Sequence, residues 1–354
     1  MKGGYTYALA DHPDIVVRQN LSIGSSHPPL VPYRLANSSL AGSDILLIDL
    51  VVNEQRILVQ HGYSEKAFQT SSDVLDYVIA KCAETNTIPI VLLMPERIGH
   101  KDPVHRQRIR KHYIEQCRIR SIPYYDGYVF TEGLAKRLGT SYSSLFKDGS
   151  HIQTHHAYTL GLDLAESILR WYPHADSVRE IGTYAPLSCL IPPHDCGRSV
   201  THSTSIARAE FIGLKPGDSI ELLAPANSEV VGLSFNMARS NCSLAIAGAS
   251  TTTKSLATSY YSKDRALWMV VWSLMTPVLT SKDGKLRLTA VERGSDANIE
   301  LHDHGALPEH YQSDTQRIEI AGLVMRHLTT KCLMLRVTND IFVGPRTPSE
   351  PETP

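Results

Sequence analysis

The sequence predicts an α/β protein in which a flavodoxin-like parallel sheet with flanking helices is followed by a jelly-roll-like β-sandwich. Residues 1–171 alternate short apolar runs with helical patterns, which is typical of a parallel sheet covered by helices. Residues 206–343 hold many short strand-like runs separated by turn residues, which favours an antiparallel sandwich. Residues 172–205, with several prolines and no clear period, indicate a connector. The polar, proline-rich residues 344–354 indicate a disordered tail.

The elements of the first half follow from apolar patterning. Continuous apolar runs predict buried strands, and apolar residues three and four positions apart behind a polar cap predict helices. The predicted strands are residues 14–24, 43–52, 87–95 and 121–128. The predicted helices are residues 70–85, residues 102–120, and a last helix after residue 151 with an apolar stripe of Ala157, Leu160, Leu164 and Ile168.

In the second half, short runs rich in β-branched and other apolar residues predict strands, because Gly, Asn, Asp and Ser turns separate them and no helical period lies between them. The runs are residues 208–225, 229–238, 242–250, 266–275, 284–292, 297–303, 316–325 and 331–339.

Charge and composition exclude several classes of protein. The 354 residues carry 35 basic and 36 acidic side chains, a formal net charge of -1, so no overall field favours nucleic acid or an anionic bilayer. The six cysteines lack a paired Cys-x-x-Cys spacing, which indicates neither a zinc site nor a disulfide framework. No apolar run is long enough for a membrane span or a signal core. We expect a protein without metal or cofactor that is cytoplasmic as written, or periplasmic or secreted if its N-terminal segment is incomplete.

Three other features have structural interpretations that compete with functional ones. A basic run on the predicted helix 102–120 favours a solvated helix face over a nucleic-acid site. The histidines at 155–156 and 302–304 lack a third ligand at a suitable spacing and are expected at the surface. Trp268 and Trp272 share one face of a strand, where they either pack in the core or form a platform for a sugar ring. The basic run comprises Arg106, Arg108, Arg110, Lys111, Arg118 and Arg120.

Loops at predicted strand ends carry the residues with catalytic chemistry, because function concentrates at the carboxyl ends of strands in open α/β sheets. The first strand delivers Gly24, the second delivers Asn53 and Glu54, and a turn before the last helix holds Asp148 and His151. His151 would take a proton from a hydroxyl nucleophile, and Asp148 would hold its tautomer. The Gly24 N–H and the Asn53 amide would donate to a developing oxyanion.

The ordered blocks "NLSIGSS", "DLVVNE" and "DGSH" resemble the SGNH (GDSL-like) hydrolase superfamily over about residues 1–171. The resemblance implies an SGNH-type fold, with Gly24 and Asn53 as oxyanion residues, Asp148 as the acid and His151 as the base. It also implies an esterase or acyltransferase, for example one that removes or adds O-acetyl groups on a carbohydrate or polysaccharide, as in exopolysaccharide biosynthesis. The expected partner is an acylated carbohydrate or a small acyl ester, and the oligomeric state is left open.

The chain departs from this family at the nucleophile. The family places a serine in a Gly-Asp-Ser or Gly-Asn-Ser turn after the first strand, and residues 1–13 resemble the segment just after that turn. Ser22, Ser25, Ser26 and Ser150 lie inside other blocks, so we predict none of them as nucleophile. Either the serine is encoded upstream of Met1, or the chain is a non-catalytic carbohydrate-binding or polysaccharide-assembly relative. Without the first strand, the parallel sheet would have a gap, and buried strands would be left with unpaired backbone groups. Because such groups are costly to bury, we favour the first explanation.

Each block also has a simpler explanation. Asp148 is a suitable helix cap with His151 as a polar neighbour. Asn53 is a suitable residue to end a strand, and Gly24 is a suitable turn residue. Their occurrence in order at predicted strand ends is what favours an acyl-transfer site.

Overall fold

The computed structural model describes most of the chain. The predicted tail, residues 344–354, lies outside the described residues, and so does most of the predicted strand 331–339. The described residues are 4–22, 24–60, 65–97, 103–174, 178–179, 186–192, 198–203, 208–294, 299–301, 305–328 and 336–337.

The first half is built on a parallel sheet of three strands in the order β1-β2-β3. The strands are β1 (Ile45–Asp49), β2 (Ile88–Leu93) and β3 (Tyr124–Asp126). All six residues of β2 are buried, because β2 has a strand on each side and helices packed against it. The outer edge of β1 has no strand partner among the described residues, and Ile45, Leu46 and Leu47 there are only half-buried.

Helices cover this sheet. The apolar stripe of the last of them is buried as the sequence predicts, at Leu160, Leu164 and Ile168. The first helix packs along the last one. The helices are α1 (Tyr5–Asp11), α2 (Leu30–Ala36), α3 (Val51–Gln60), α4 (Glu65–Thr85), α5 (Pro103–Ile119), α6 (Gly127–Arg137) and α7 (Thr154–Trp171).

One strand prediction in this half is wrong, and another strand ends earlier than predicted. Residues 14–22 hold no strand, and Val16 and Val17 are 85% and 44% exposed. The apolar run there is short, and none of the described strands lies beside it to pair with its backbone. The strand predicted over residues 43–52 ends at Asp49, since Val51 begins α3. A short apolar run fits a buried helix turn as well as a strand, so periodicity alone did not separate the two.

The second half contains two antiparallel sheets. One has four strands in the order β11-β10-β13-β8. The other, here named the central sheet, has the order β12-β9-β14-β7-β6, and β5 also pairs with β14. A separate pair joins β4 (Val178–Arg179) to β15 (Arg336–Val337). The remaining strands are β5 (Leu187–Leu190), β6 (Ser199–Ser203), β7 (Arg208–Leu214), β8 (Ser219–Leu223), β9 (Ser228–Asn236), β10 (Ser243–Ala247), β11 (Thr251–Ser255), β12 (Met269–Leu279), β13 (Lys285–Val291) and β14 (Ile318–His327).

Two strands of the central sheet come from residues 172–205, the segment that the sequence indicates as a connector. β5 pairs with β14, and β6 pairs with β7. β6 is a polar edge strand with alternating exposure, and β5 is only four residues long. Neither has the continuous apolar pattern that reveals a buried strand, so the sandwich begins earlier than the pattern predicts.

The central sheet is buried on both faces. All nine residues of β9 are buried, and so are the first nine of β14. One face packs against the four-stranded sheet through side chains such as Leu233, Phe235 and Leu323. The opposite face joins the core of the first half through Phe211, Val231, Val271, Ala321 and Val324. The two halves therefore share one continuous apolar core.

A buried ionic cluster crosses the same interface. Arg326 on β14 pairs with Asp73 on α4 and lies 2.5 Å from Glu229 Oε1 on β9. Its guanidinium also donates to the hydroxyl of Thr70 at 2.9 Å. All four residues are less than a tenth exposed. The cluster fixes the position of α4 against the central sheet.

The segment 25–27 lies along the outer edge of β12. The His27 N–H donates to the Val271 carbonyl at 2.8 Å, and the Val271 N–H donates to Ser26 Oγ at 3.2 Å. The Ser273 N–H donates to His27 Nδ1 at 2.9 Å. This part of the first half therefore continues the hydrogen bonding of the central sheet.

Glu300, whose side chain is 8% exposed, lies at the next part of that edge. Glu300 Oε2 accepts from the N–H groups of Met275 and Thr276 at 2.9 and 3.1 Å. Its other oxygen pairs with Lys254 of β11, which is 2% exposed. The pair links the two sheets of the sandwich where the register of β12 shifts.

Gly161 allows α1 to approach α7 closely. A Cβ at this position would lie 2.6 Å from Ala8 Cβ and 2.6 Å from the Tyr5 carbonyl. We expect Gly161→Ala to lower the free energy of unfolding by about 1–3 kcal/mol, as overpacking does elsewhere. The matched control is Gly133→Ala in α6, where the nearest atom is the Arg137 side-chain tip at 4.0 Å. Urea denaturation of the control should show unchanged or higher stability, by up to about 1 kcal/mol. Equal effects of both substitutions would contradict the close-contact argument.

Candidate active site

Asp148 and His151 form a hydrogen-bonded acid and imidazole pair. His151 Nδ1 lies 2.9 Å from Asp148 Oδ1 and 3.0 Å from Oδ2. Asp148 Oδ1 also accepts from the backbone N–H groups of Ser150 and His151, both at 2.9 Å. With Nδ1–H directed to the carboxylate, Nε2 carries the lone pair that accepts a proton.

The turn that holds this pair has a rigid base. Phe146 and Ile152 form an isolated antiparallel bridge on either side of it, and both side chains are buried. The Arg97 N–H, beyond the end of β2, donates to the Gly149 carbonyl at 3.0 Å. The turn is thus attached to the carboxyl edge of the parallel sheet.

The pair is open to solvent. The side chains of His151 and Asp148 are 65% and 49% exposed. Partial burial raises the pKa of Asp148, but hydrogen bonds from the Ser150 N–H and from His151 outweigh it and hold the pKa below its usual range. The carboxylate is therefore charged at neutral pH and stabilises an imidazolium beside it.

Gly24 lies in the loop before the segment that borders β12. A Cβ at Gly24 would meet no atom within 4 Å, so its surroundings are open. The next residue, Ser25, has a φ of 62°, and its carbonyl accepts from Trp272 Nε1 at 3.0 Å. Within the described residues no hydrogen bond joins Gly24 to Asp148 or His151.

Asn53 lies in the first turn of α3, just beyond the carboxyl end of β1, and is half-buried. No hydrogen bond of the described chain joins it to His151. The helical setting differs from the strand end that the sequence predicts for this residue. Asn53 nevertheless lies at the carboxyl edge of the parallel sheet.

Glu54, which the sequence places at the same predicted strand end without a role, is a buried carboxyl beside Asn53. Glu54 is 3% exposed and accepts hydrogen bonds from Ser71 of α4 and Tyr113 of α5, each of which is fully buried. Burial raises the pKa of Glu54 from 4.5 to about 8, although the Tyr113 hydrogen bond opposes the rise. This network ties three helices together behind Asn53. Its one sequence signal is the position of Glu54 at the end of the predicted strand, beside Asn53.

We expect Glu54 to make stability fall as pH rises. Below pH 4.5 both the folded and the unfolded chain hold the proton, so the contribution is greatest there. As pH rises from 4.5 to about 8 only the unfolded chain ionises, which weakens folding by up to about 1.4 kcal/mol per pH unit. Glu54→Gln cannot titrate, so urea denaturation at about pH 5 and about pH 7.5 should show the variant gaining stability relative to wild type. A pH-independent difference would contradict this assignment.

Two aspartates end the outer strands of the parallel sheet. Asp49 of β1 accepts from the hydroxyl of Tyr5 on α1 at 3.3 Å. Asp126 of β3 pairs with Arg110 on α5 at 2.5 Å and caps α6 by accepting from the Tyr128 N–H. Both carboxylates thus hold helices at the edge that carries the Asp148 turn.

The basic run and the histidine pairs have structural contacts where they are described. Arg120 is buried and pairs with Asp76 at 2.6 Å, so part of the predicted solvated face is an internal ion pair. The rings of His155 and His156 lie 3.8 Å apart. Residues 302–304 lie outside the described residues. Across the described ranges, no three His, Cys, Asp or Glu side chains are grouped to hold a metal ion.

Cysteines and hydropathy add little to the site. Cys82, Cys117, Cys189 and Cys242 are free thiols, and residues 196 and 332 lie outside the described residues. In the part of the chain that the structure describes, no helix combines the length and apolar character needed to cross a membrane.

Comparison with known proteins identifies a shared fold. No family model matches the chain, and no curated protein matches it. Among solved structures, a two-domain esterase (CEX) active on acetylated mannans matches with a TM-score of 0.54 at 12% identity, over 88% of this chain and 81% of that chain. The same esterase co-crystallised with mannopentaose matches with a TM-score of 0.51 at 11% identity, over 87% of this chain and 79% of that one. At this identity the match establishes architecture alone: the chain has the fold of a two-domain esterase.

Proposed function

We propose that this chain is an SGNH-type acyl ester hydrolase or acyltransferase that acts on an acylated carbohydrate. The observation that carries the proposal is the Asp148–His151 hydrogen bond at the carboxyl edge of the parallel sheet. An imidazole whose Nδ1–H is held by a charged carboxylate is the general base of hydroxyl nucleophiles.

The chemistry follows from the tautomer. His151 Nε2 takes the proton of a hydroxyl as its oxygen attacks the ester carbonyl, and it later returns that proton to the leaving alcohol. Asp148 keeps the ring oriented and stabilises the imidazolium. We assign the Asn53 amide to the oxyanion because Asn53 lies just beyond the carboxyl end of β1. We assign the Gly24 N–H to the oxyanion on the resemblance to SGNH hydrolases alone.

In the described residues the His151 ring bonds only to Asp148, through Nδ1, and no hydroxyl bonds to Nε2, so we propose that the nucleophile comes from another segment. The open edge of β1 supports a strand that precedes α1. A parallel strand there would end beside Asp49 and lead into α1, whose Tyr5 already contacts Asp49. We propose that this strand, with a Gly-x-Ser turn at its end, is encoded ahead of Met1.

The substrate class is proposed from two supports. The structural neighbour acts on acetylated mannans. The resemblance to SGNH hydrolases, with a sandwich packed on the α/β half, also fits a carbohydrate ester. An O-acetyl group on a polysaccharide is therefore the substrate that we would test first.

The test compares two chain lengths and three variants. Residues 1–354 should hydrolyse 4-nitrophenyl acetate and acetylated glucomannan poorly, while the longer in-frame product should be active. In the longer product His151→Ala should lower kcat/KM by about 10²–10⁴-fold, and Asp148→Asn should also lower it. His155→Ala, an exposed histidine four residues away, is the matched control and should retain activity. A stop codon just upstream of Met1, or full activity of His151→Ala, would overturn the proposal.

A non-catalytic carbohydrate-binding protein is the second candidate. It is favoured by the hydrogen bonding of His151, which no described hydroxyl shares. In that case the chain would bind polysaccharide without turnover, and no upstream Gly-x-Ser turn would be found in frame.

A further inference from the structure

A cluster of aromatic and cationic side chains lies where β12 begins, and the proposed reaction does not use it. Tyr260 and Trp268 pack edge to face with ring centroids 4.6 Å apart. The Arg265 guanidinium lies 4.2 Å from the centroid of the Trp268 ring. Both aromatic residues are half-buried, and residues 263–266 are exposed. The surface here presents aromatic carbon and hydrogen-bond donors together.

A buried asparagine fixes the loop that carries this cluster. Asn236 Nδ2 donates to the Ala266 carbonyl at 2.9 Å, and Asn236 Oδ1 accepts from the Trp268 N–H at 2.9 Å. The amide also donates to Glu319 Oε2 at 2.8 Å, and the Asn236 side chain is fully buried. The Met237 N–H donates to the Trp268 carbonyl at 2.8 Å. The backbone of Trp268 is therefore held in one position before any ligand arrives.

A second set of contacts anchors the start of the loop. The Ser262 N–H donates to the Ala238 carbonyl at 3.0 Å, and Arg239 donates to the Lys263 carbonyl at 3.0 Å. Tyr261 is buried and packs against Tyr311 at 5.1 Å between ring centroids. A loop fixed at both ends loses little conformational freedom on binding, which favours affinity.

The chemistry of the cluster fits a sugar ring. Aromatic rings offer large apolar faces on which the C–H face of a pyranose can stack. A guanidinium offers several donors in a fixed planar arrangement, which suits neighbouring hydroxyls. We propose that Tyr260, Arg265 and Trp268 form a subsite that binds a pyranose ring of a neutral polysaccharide. As a part of substrate recognition, the subsite rests on the proposed function.

The position of the subsite connects it to the first half. Leu267 and Met269, on either side of Trp268, pack against the core of the first half. Val271, which bonds to His27, is three residues from Trp268, about 10 Å along the strand. A chain bound at Trp268 therefore lies beside the segment that follows Gly24. The Trp268 side chain itself packs on the opposite face of this segment, at the margin of the core between the two sheets, so the proposed subsite belongs to the sandwich.

Intrinsic fluorescence gives a first test, because Trp171 and Trp272 are buried and Trp268 is the accessible tryptophan of the three. Titration of the full chain with mannopentaose and with cellopentaose should produce a saturable change for at least one of them. No binding of either oligosaccharide would overturn the subsite.

Calorimetric titration of variants with the oligosaccharide that binds assigns the site. Trp268→Ala should weaken binding at least about tenfold, as the loss of a central aromatic contact does elsewhere. Arg265→Ala, which changes an exposed side chain, should weaken binding without any risk to folding. The matched control is Tyr172→Ala, a tyrosine 40% exposed beyond α7, and it should bind as wild type does. Unchanged affinity in both Trp268→Ala and Arg265→Ala would overturn the assignment.

A last variant separates this proposal from the proposed function. His151→Ala should bind the oligosaccharide with wild-type affinity whatever its effect on hydrolysis. In the longer, active product Trp268→Ala should lower turnover of acetylated glucomannan and leave that of 4-nitrophenyl acetate unchanged. Loss of both activities in Trp268→Ala would contradict a role confined to polymer binding.

Discussion

Arg326→Ala should lower the free energy of unfolding by about 3–5 kcal/mol, because it leaves two buried carboxylates without their cation. Asp73 and Glu229 both face Arg326 and are less than a tenth exposed. Burial already raises the pKa of Asp73, and the charge of Arg326 opposes that rise. Without the guanidinium, both acids must take up protons or draw in water. Urea denaturation followed by circular dichroism measures the loss.

The control for Arg326 is an exposed arginine in a similar pair. Arg287 lies 2.6 Å from Glu221, and both side chains are about three-fifths exposed. Arg287→Ala should cost far less than Arg326→Ala, because exposed ion pairs contribute little to stability. Arg326→Met keeps much of the side-chain volume and should remain nearly as destabilising as alanine. Equal costs for Arg326→Ala and Arg287→Ala would show that burial of the cluster is not what matters.

Phe211→Ala should destabilise both halves of the molecule together. Phe211 is fully buried on β7 and belongs to the core shared with the first half. Truncation of a buried phenylalanine costs about 3–5 kcal/mol. Because Phe211 packs in the core that both halves share, amide hydrogen exchange should accelerate in α4 of the first half and in β14 of the central sheet.

Two results bear on that prediction. Leu223→Ala changes a side chain that is 73% exposed on β8, so it should leave stability within about 0.5 kcal/mol of wild type. If Phe211→Ala accelerates exchange in β14 but not in α4, then the halves unfold independently and the shared core does not couple them.

The sequence allowed prediction of those elements whose patterns are local. The helix stripe of Leu160, Leu164 and Ile168 and the apolar run of β2 need no knowledge of their partners. The strand predicted over residues 14–24 is wrong for the opposite reason, because a strand forms only where another backbone pairs with it. The continuous burial of β9 shows the same limit of sequence patterns, which do not reveal long-range partners. A run without alternation does indicate burial on both faces, but it does not say which layers cover them.

The candidate site also combines residues that are close in sequence with residues that only long-range packing brings together. Asp148 and His151 are three residues apart, so their spacing was enough to predict that the side chains can meet. The Glu54 network joins residues 17 and 59 positions apart, and only packing of three helices brings them together. The placement of Gly24 and Asn53 relative to His151 depends equally on long-range packing.

Side chains accept hydrogen bonds from the outer N–H groups of β12, and this affects the tendency of the protein to aggregate. Ser26 and His27 accept from two of its outward N–H groups, Glu300 accepts from two more, and Ser250 Oγ accepts from the Leu279 N–H at 3.0 Å. An apolar edge strand of 11 residues with free donors would recruit the edges of other molecules. The side chains that occupy those donors therefore protect the protein against aggregation. We expect substitutions at residues 25–27 to increase the turbidity of the solution on storage before any secondary structure is lost.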